Sequence, residues 1–251
     1  MATRALLYRR PAEPSTLLIK HGSQYFAIRL RRHRRARRYT LRIHPTDREA
    51  ILTMPPRGTI AEARDFAQLH GGWIAARLGR LPKAAPFQHG TVVPLRGVPH
   101  RLVHRAGERG TVWTEIRDSG ERILCAAGGL EHMDRRVHDF LKREARKDLH
   151  KASLYYAAEL GVRVRRVSIR DQSSRWGSCT SHGSLSFSWR LILAPPYVLD
   201  YLAAHEVAHL VEMNHSPRFW KTVGRICSSV DRAKTWLDTY GNDLHRYGIE
   251  D

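Results

Sequence analysis

The 251-residue chain has little cysteine: Cys125, Cys179 and Cys227 are widely spaced, and no two form a CxxC pair. An odd set of this kind excludes a disulfide framework, a zinc ribbon and a dithiol redox site, and reads as the reduced thiols of an intracellular protein. Apolar runs of the ~18 residues needed to span a bilayer are lacking, and the opening stretch MATRALLYRRPAEPS holds too short an apolar segment for a secretory signal. A cytoplasmic protein without a membrane partner is expected. Internal repeats are absent, which excludes solenoids and propellers. The scarcest class is acid: 24 Asp and Glu face 43 Lys and Arg, a formal charge of +19. Such a surface attracts nucleic acid, nucleotides or other anions without naming which.

What is present is a hydrophobic content of 42%, enough for a sizeable core. The densest basic stretch is RRHRRARR at 31 to 38, with six arginines and no acid. It suits phosphate contact, but arginines on an exposed strand edge also discourage edge-to-edge pairing, and no aromatic residues are interleaved as stacking platforms.

The first third alternates apolar and polar residues in YFAIRLR (25 to 31), YTLRI (39 to 43) and AILTMP (50 to 55), which predicts a small antiparallel sheet. At Thr59 the period changes. TIAE provides a capping box, Thr59 with Glu62, for a helix carrying Phe66, Leu69, Trp73 and Ile74. Short strands resume at TVVPL, HRLVH, TVWTEI and RILCA. A long helical pattern then runs from about Leu130 to Leu160 and stops at Gly161. Strands are expected at 164 to 170 and 184 to 193, followed by helices. The fold class is α+β, with a β-rich basic portion at 1–130 and a mixed portion at 131–251.

The segment HEVAHLVEMNH, residues 205 to 215, concentrates chemistry. After Pro195 and Pro196, YVLDYLAAHEVAHLVEM has no internal glycine or proline and reads as helix, with Pro196 in its first turn. At about 100° per residue His205 and His209 share one face, where two imidazoles can hold one ion, while Glu206 can reach a water on that ion without ligating it. Asn214 tolerates the left-handed conformation that ends helices, and Ser216–Pro217 suits the start of the next, so His215 falls at a corner from which it can turn back as third ligand. Glu212 is the rival third ligand, although one straight helix wraps three of its own side chains around a tetrahedral ion with difficulty. Arg175 is a candidate for stabilising an oxyanion or binding a substrate phosphate or carboxylate. Trp176 reads as a core anchor, as do Trp189, Phe219, Trp220 and Trp236.

RDQSSRWGSC (170 to 179) and SLSFSWRLILAPPYVLDYLAAHEVAHLVEMNHSPRFW (184 to 220) resemble the YgjP-like metallopeptidase family, relatives of the SprT-like zincins. The RRARRYTLRI strand, the MPPRGT turn and the WI of the first helix extend the similarity. The resemblance implies a zincin-like C-terminal domain, Zn2+ bound by His205, His209 and His215, Glu206 as general base, and a wall strand able to pair with an extended peptide. Family members often have Asn where this chain has Ser188. Metal-activated hydrolysis of a peptide or protein substrate is the leading expectation. A metal-dependent nucleoside triphosphate pyrophosphatase and a nucleic-acid-associated protein with basic N-terminal strands are the alternatives.

Overall fold

A computed structural model describes residues 14–172 and 175–249. Most of the opening stretch read for a signal lies outside these residues, as do Ser173 and Ser174 of RDQSSRWGSC. The chain divides into two compact units, Met1–Leu81 and Pro82–Asp251. The change of sequence character near residue 130 falls inside the second unit.

In the first unit, strands β1 (Thr16–His21), β2 (Gln24–Arg32), β3 (Thr40–His44) and β4 (Glu49–Met54) form a sheet of order β1-β2-β4-β3. The sheet is mixed, not antiparallel as the alternation predicts: β2 and β4 run parallel, with Ile28 opposite Ala50 and Leu30 opposite Leu52. The reason is that β4 is the most apolar strand, with Ala50, Ile51, Leu52 and Met54 all buried, so it takes a central place and leaves β3 at the edge. The alternating strand β1, which buries Leu17 and Ile19, adds a fourth member that the sequence reading omits.

Helices α1 (Ile60–Leu69) and α2 (Gly71–Gly79) cover one face. The capping box forms as expected: Thr59 Oγ1 accepts from the Glu62 amide at 3.2 Å, and Glu62 Oε2 accepts from the Thr59 amide at 2.8 Å. The single helix expected over this region is instead two, broken at His70. Gly71 approaches β1 so closely that a Cβ on it would sit 3.0 Å from the His21 side chain. Ile74 is buried by this turn, whereas Leu69 is 80% exposed and does not join the core.

The second unit opens with β5 (Val92–Leu95), β6 (Val98–Arg105), β7 (Val112–Ile116) and β8 (Arg122–Ala127), a sheet of order β5-β6-β8-β7. Its first hairpin turns through Arg96 and Gly97, both at positive φ, and the Arg96 guanidinium donates to Glu144 and Asp148, each at 2.7 Å. Those acids lie on α3 (Met133–Leu160), which buries Val137, Leu141, Ala145, Leu149 and Ala152 along one stripe and ends on left-handed Gly161.

Strands β9 (Arg166–Arg170), β10 (Gly177–Cys179) and β11 (Ser184–Ser188) follow, in the order β10-β11-β9, so β10 is an edge strand. The strand expected over 184 to 193 stops at Ser188, and Trp189–Leu193 is a 3₁₀ helix whose five residues are all buried. Ser188 has a polar role in this stop: its hydroxyl accepts from the Arg190 amide at 3.4 Å. Helices α4 (Pro196–Ala208), α5 (Pro217–Ile226) and α6 (Val230–Tyr240) complete the unit with a final 3₁₀ turn, Gly241–Arg246. Strands dominate the first half and helices the second, an α+β arrangement. Among the described residues no helix is long and apolar enough to cross a membrane.

Arg190 ties the second unit together. Only 1% exposed, it donates to Asp171 and to the carbonyls of Leu244 and Tyr247 at 2.9 and 2.8 Å. Burial alone would raise the Asp171 carboxyl, but the adjacent guanidinium prevails and holds it below its ordinary value. A depressed carboxylate contributes stability that is complete above about pH 4 and is lost as pH falls through its lowered pKa. Arg190→Met should therefore cost about 3 kcal/mol in urea unfolding at neutral pH, and should flatten the acid dependence of stability below pH 4. An unchanged midpoint would show that the tie is dispensable.

Candidate active site

Helix α4 starts on Pro196, at a position where a missing amide hydrogen costs nothing, and carries Tyr201, His205 and Glu206 before it ends at Ala208. The sequence predicts helix as far as Met213, so the observed end comes five residues early. His209 is the C-cap, and the amides of Leu210 and Val211 fold back onto the carbonyls of Val207 and Ala208. The corner does not use a left-handed Asn214. Its side-chain oxygen instead accepts from the Ser216 amide at 3.2 Å, and Ser216 in turn caps α5 by accepting from Phe219.

This corner returns His215 to the face of α4. One nitrogen from each of His205, His209 and His215 lies within 4.8 Å of the others, and the Nε2 atoms of His205 and His215 are 3.1 Å apart. Two such nitrogens can satisfy only one proton between them, whereas a shared cation would use both lone pairs. A tetrahedral ion with bonds of about 2.0–2.1 Å sets ligand nitrogens about 3.3 Å apart, so the trio fits one ion. Glu212 is not part of this cluster. Its backbone carbonyl accepts from His209 Nδ1 at 3.1 Å, which orients that ring and keeps the Nε2 lone pair free.

Phe219, fully buried in the first turn of α5, packs against all three imidazoles, with ring centroids 4.5 to 4.9 Å away. Trp220 flanks His205 and His215. By sequence both aromatics read as general packing residues; their spacing of four and five from His215 is the signal that they sit against the histidine cluster.

Burial first, then the neighbouring His209, His215 and Lys234, pushes His205 down to about 4, and burial likewise lowers His209. Both are neutral at pH 7, the form in which an imidazole ligates. Glu206 is 5% exposed, and burial pushes its carboxyl up to about 7, with Arg175 drawing it partway back. A group poised near neutrality takes up and returns protons efficiently.

His205 and Glu206 line a cleft of about 380 Å³ together with Arg175, Gly177, Tyr201 and Lys234. Arg175 is thus brought to the site, exposed at its rim. Trp176 is half-buried and stacks on His245 at 5.2 Å, which makes it an anchor for the cleft wall. Lys234, over the Trp220 ring at 4.7 Å, and Gly177 are cleft residues that the sequence reading passes over.

No curated protein matches the chain. Among solved structures, the crystal structure of the metallopeptidase zymogen abylysin of Pyrococcus abyssi is 22% identical; the match covers 40% of this chain and 99% of that one, with a TM-score of 0.34. That likeness is too slight to carry an argument. A family model described as YgjP-like, metallopeptidase domain, matches residues 37–240. With most of its length inside that match, the chain belongs to the YgjP-like family through its metallopeptidase domain.

Proposed function

We propose that this metallopeptidase is a zinc-dependent hydrolase of zincin type, in which His205, His209 and His215 hold the ion and Glu206 is the general base. The observation that carries the reading is the convergence of three imidazoles within 4.8 Å, two of them kept neutral by burial, beside a buried carboxylate. A zinc ion held by these three histidines would lower the pKa of a bound water to about 7 and polarise a substrate carbonyl. Glu206 accepts the proton of the attacking water and returns it to the leaving amine, a contribution of ~10²–10⁴-fold. Arg175 supplies positive charge at the cleft rim, where a developing oxyanion or a substrate carboxylate would sit. The three cysteines are free, which suits a cytoplasmic enzyme.

Glu206→Gln should bind one zinc per chain, by calorimetry, yet lose at least ~100-fold in kcat on casein-derived peptides. Full activity of that variant would remove Glu206 from the mechanism. A parallel panel of nucleoside triphosphates, with and without chelator, separates peptidase from pyrophosphatase. Phe219→Ala should weaken zinc binding about 10–100-fold, because the floor that fixes the three rings is lost. Unchanged affinity would show that the rings are held by their own helix and corner.

A second reading concerns the basic portion. Arg31, Arg34, Arg35, Arg37, Arg38 and Arg42 are contributed by β2, β3 and the loop between them, and none has a side-chain hydrogen bond or ion pair among the described residues. The first unit carries 17 Lys and Arg against five Asp and Glu, a net +12. Unpaired guanidinium groups concentrated on one loop and its flanking strands favour a nucleic acid as partner. Binding to duplex DNA should then show a slope of log K against log salt of about −5, matching six neutralised phosphates. A flat salt response would exclude this role.

A further inference from the structure

Glu206 meets strand β10 at a point where no side chain stands. A Cβ built on Gly177 would fall 2.5 Å from Glu206 Oε1, 2.7 Å from its Cγ and 2.8 Å from its Cδ, closer than real Cβ atoms approach anything. The backbone of Gly177 is not in the left-handed region, so conformation alone would admit an alanine. Glycine is required there by the closeness of the glutamate.

Polar contacts do not explain where Glu206 sits. Among the described residues its carboxylate has no hydrogen bond and no ion pair, so packing against β10 sets its position. On the same face of the strand, two residues on, the Cys179 thiol is pushed up to about 11, by burial and then by the charge of Glu206. The strand therefore offers the carboxylate a bare backbone on one side and a neutral thiol on the other.

The strand itself is held firmly. It pairs with β11 from Gly177 opposite Phe187 to Cys179 opposite Leu185, and the Trp176 carbonyl accepts from the Ser188 amide at 2.9 Å. The Trp176 indole is stacked on His245 and lies so close to Gly241 that a Cβ there would be 3.3 Å away. When space is taken from the Glu206 side chain at Gly177, the strand cannot yield, and the carboxylate must.

We propose that Gly177 is a positioning residue: its missing side chain is the seat that aims the Glu206 carboxylate into the cleft. The proposal rests on the reading of Glu206 as general base. A carboxylate displaced by about 1 Å can cost 10²-fold in rate.

Gly177→Ala, assayed on casein-derived peptides beside Glu206→Gln, should lower kcat about 100-fold with KM altered less than about threefold, while zinc uptake by calorimetry stays at one ion per chain with unchanged affinity. Activity of Gly177→Ala equal to the parent, with Glu206→Gln inactive, would overturn the seat and leave the base. Full activity of Glu206→Gln would overturn the base itself. Weakened zinc binding in Gly177→Ala would assign the glycine to the metal site and overturn the proposal. A thermal readout holds even where Gly177→Ala is poorly stable. Whatever fall in Tm it causes should largely vanish in a Glu206→Ala background, because the three heavy atoms nearest the added methyl all belong to the glutamate. Equal falls in both backgrounds would contradict the contact on which the proposal stands.

Discussion

The site depends on one early stop. Helix α4 ends at Ala208, and the next seven residues turn back on themselves, so that His215 faces His205 across 3.1 Å. Had the helix run on to Met213, as its composition allows, the third imidazole would have been carried away from the other two. The stop is maintained by local hydrogen bonds: Leu210 and Val211 fold onto the last turn, Asn214 closes on Ser216, and Ser216 caps α5. None of these bonds is strong alone, at about 1 kcal/mol each. Together they fix a corner whose geometry a metal ion could share.

Around that corner each neighbour removes a freedom. Phe219 lies under all three rings, the Glu212 carbonyl orients His209, and desolvation keeps His205 and His209 neutral. On the opposite wall β10 brings a backbone without a side chain against Glu206. The wall is held through Trp176 and His245, and Arg190 ties the carbonyls of Leu244 and Tyr247 into the same framework. Rigid elements thus hold these side chains in place, which is how a static fold supplies preorganisation.

Local sequence made much of this legible. The capping box at Thr59, the apolar stripe of α3 and its left-handed Gly161 depend on residues a few positions apart, and these features stand where periodicity and end signals put them. The histidine spacing was readable in the same way, because a helix places His205 and His209 on one face whatever surrounds it. The features that sequence did not reveal are those set by distant partners. The parallel pairing of β2 with β4 follows from β4 being buried on both faces, and the break at His70 from Gly71 packing on His21, fifty residues away. Gly177 stands in RWGSC without any sign that Glu206, 29 residues later, needs its space. Phe219 looks like any core aromatic until the fold sets three imidazoles on it.

Everything proposed for the site turns on three imidazoles sharing one ion. X-ray absorption at the zinc edge of the purified, zinc-loaded protein tests it most directly. Nitrogen scatterers are expected at about 2.0–2.1 Å with the outer-shell signature of three histidine rings, falling to two in His215→Ala. Sulfur ligation, or a spectrum that His215→Ala leaves unchanged, would contradict it.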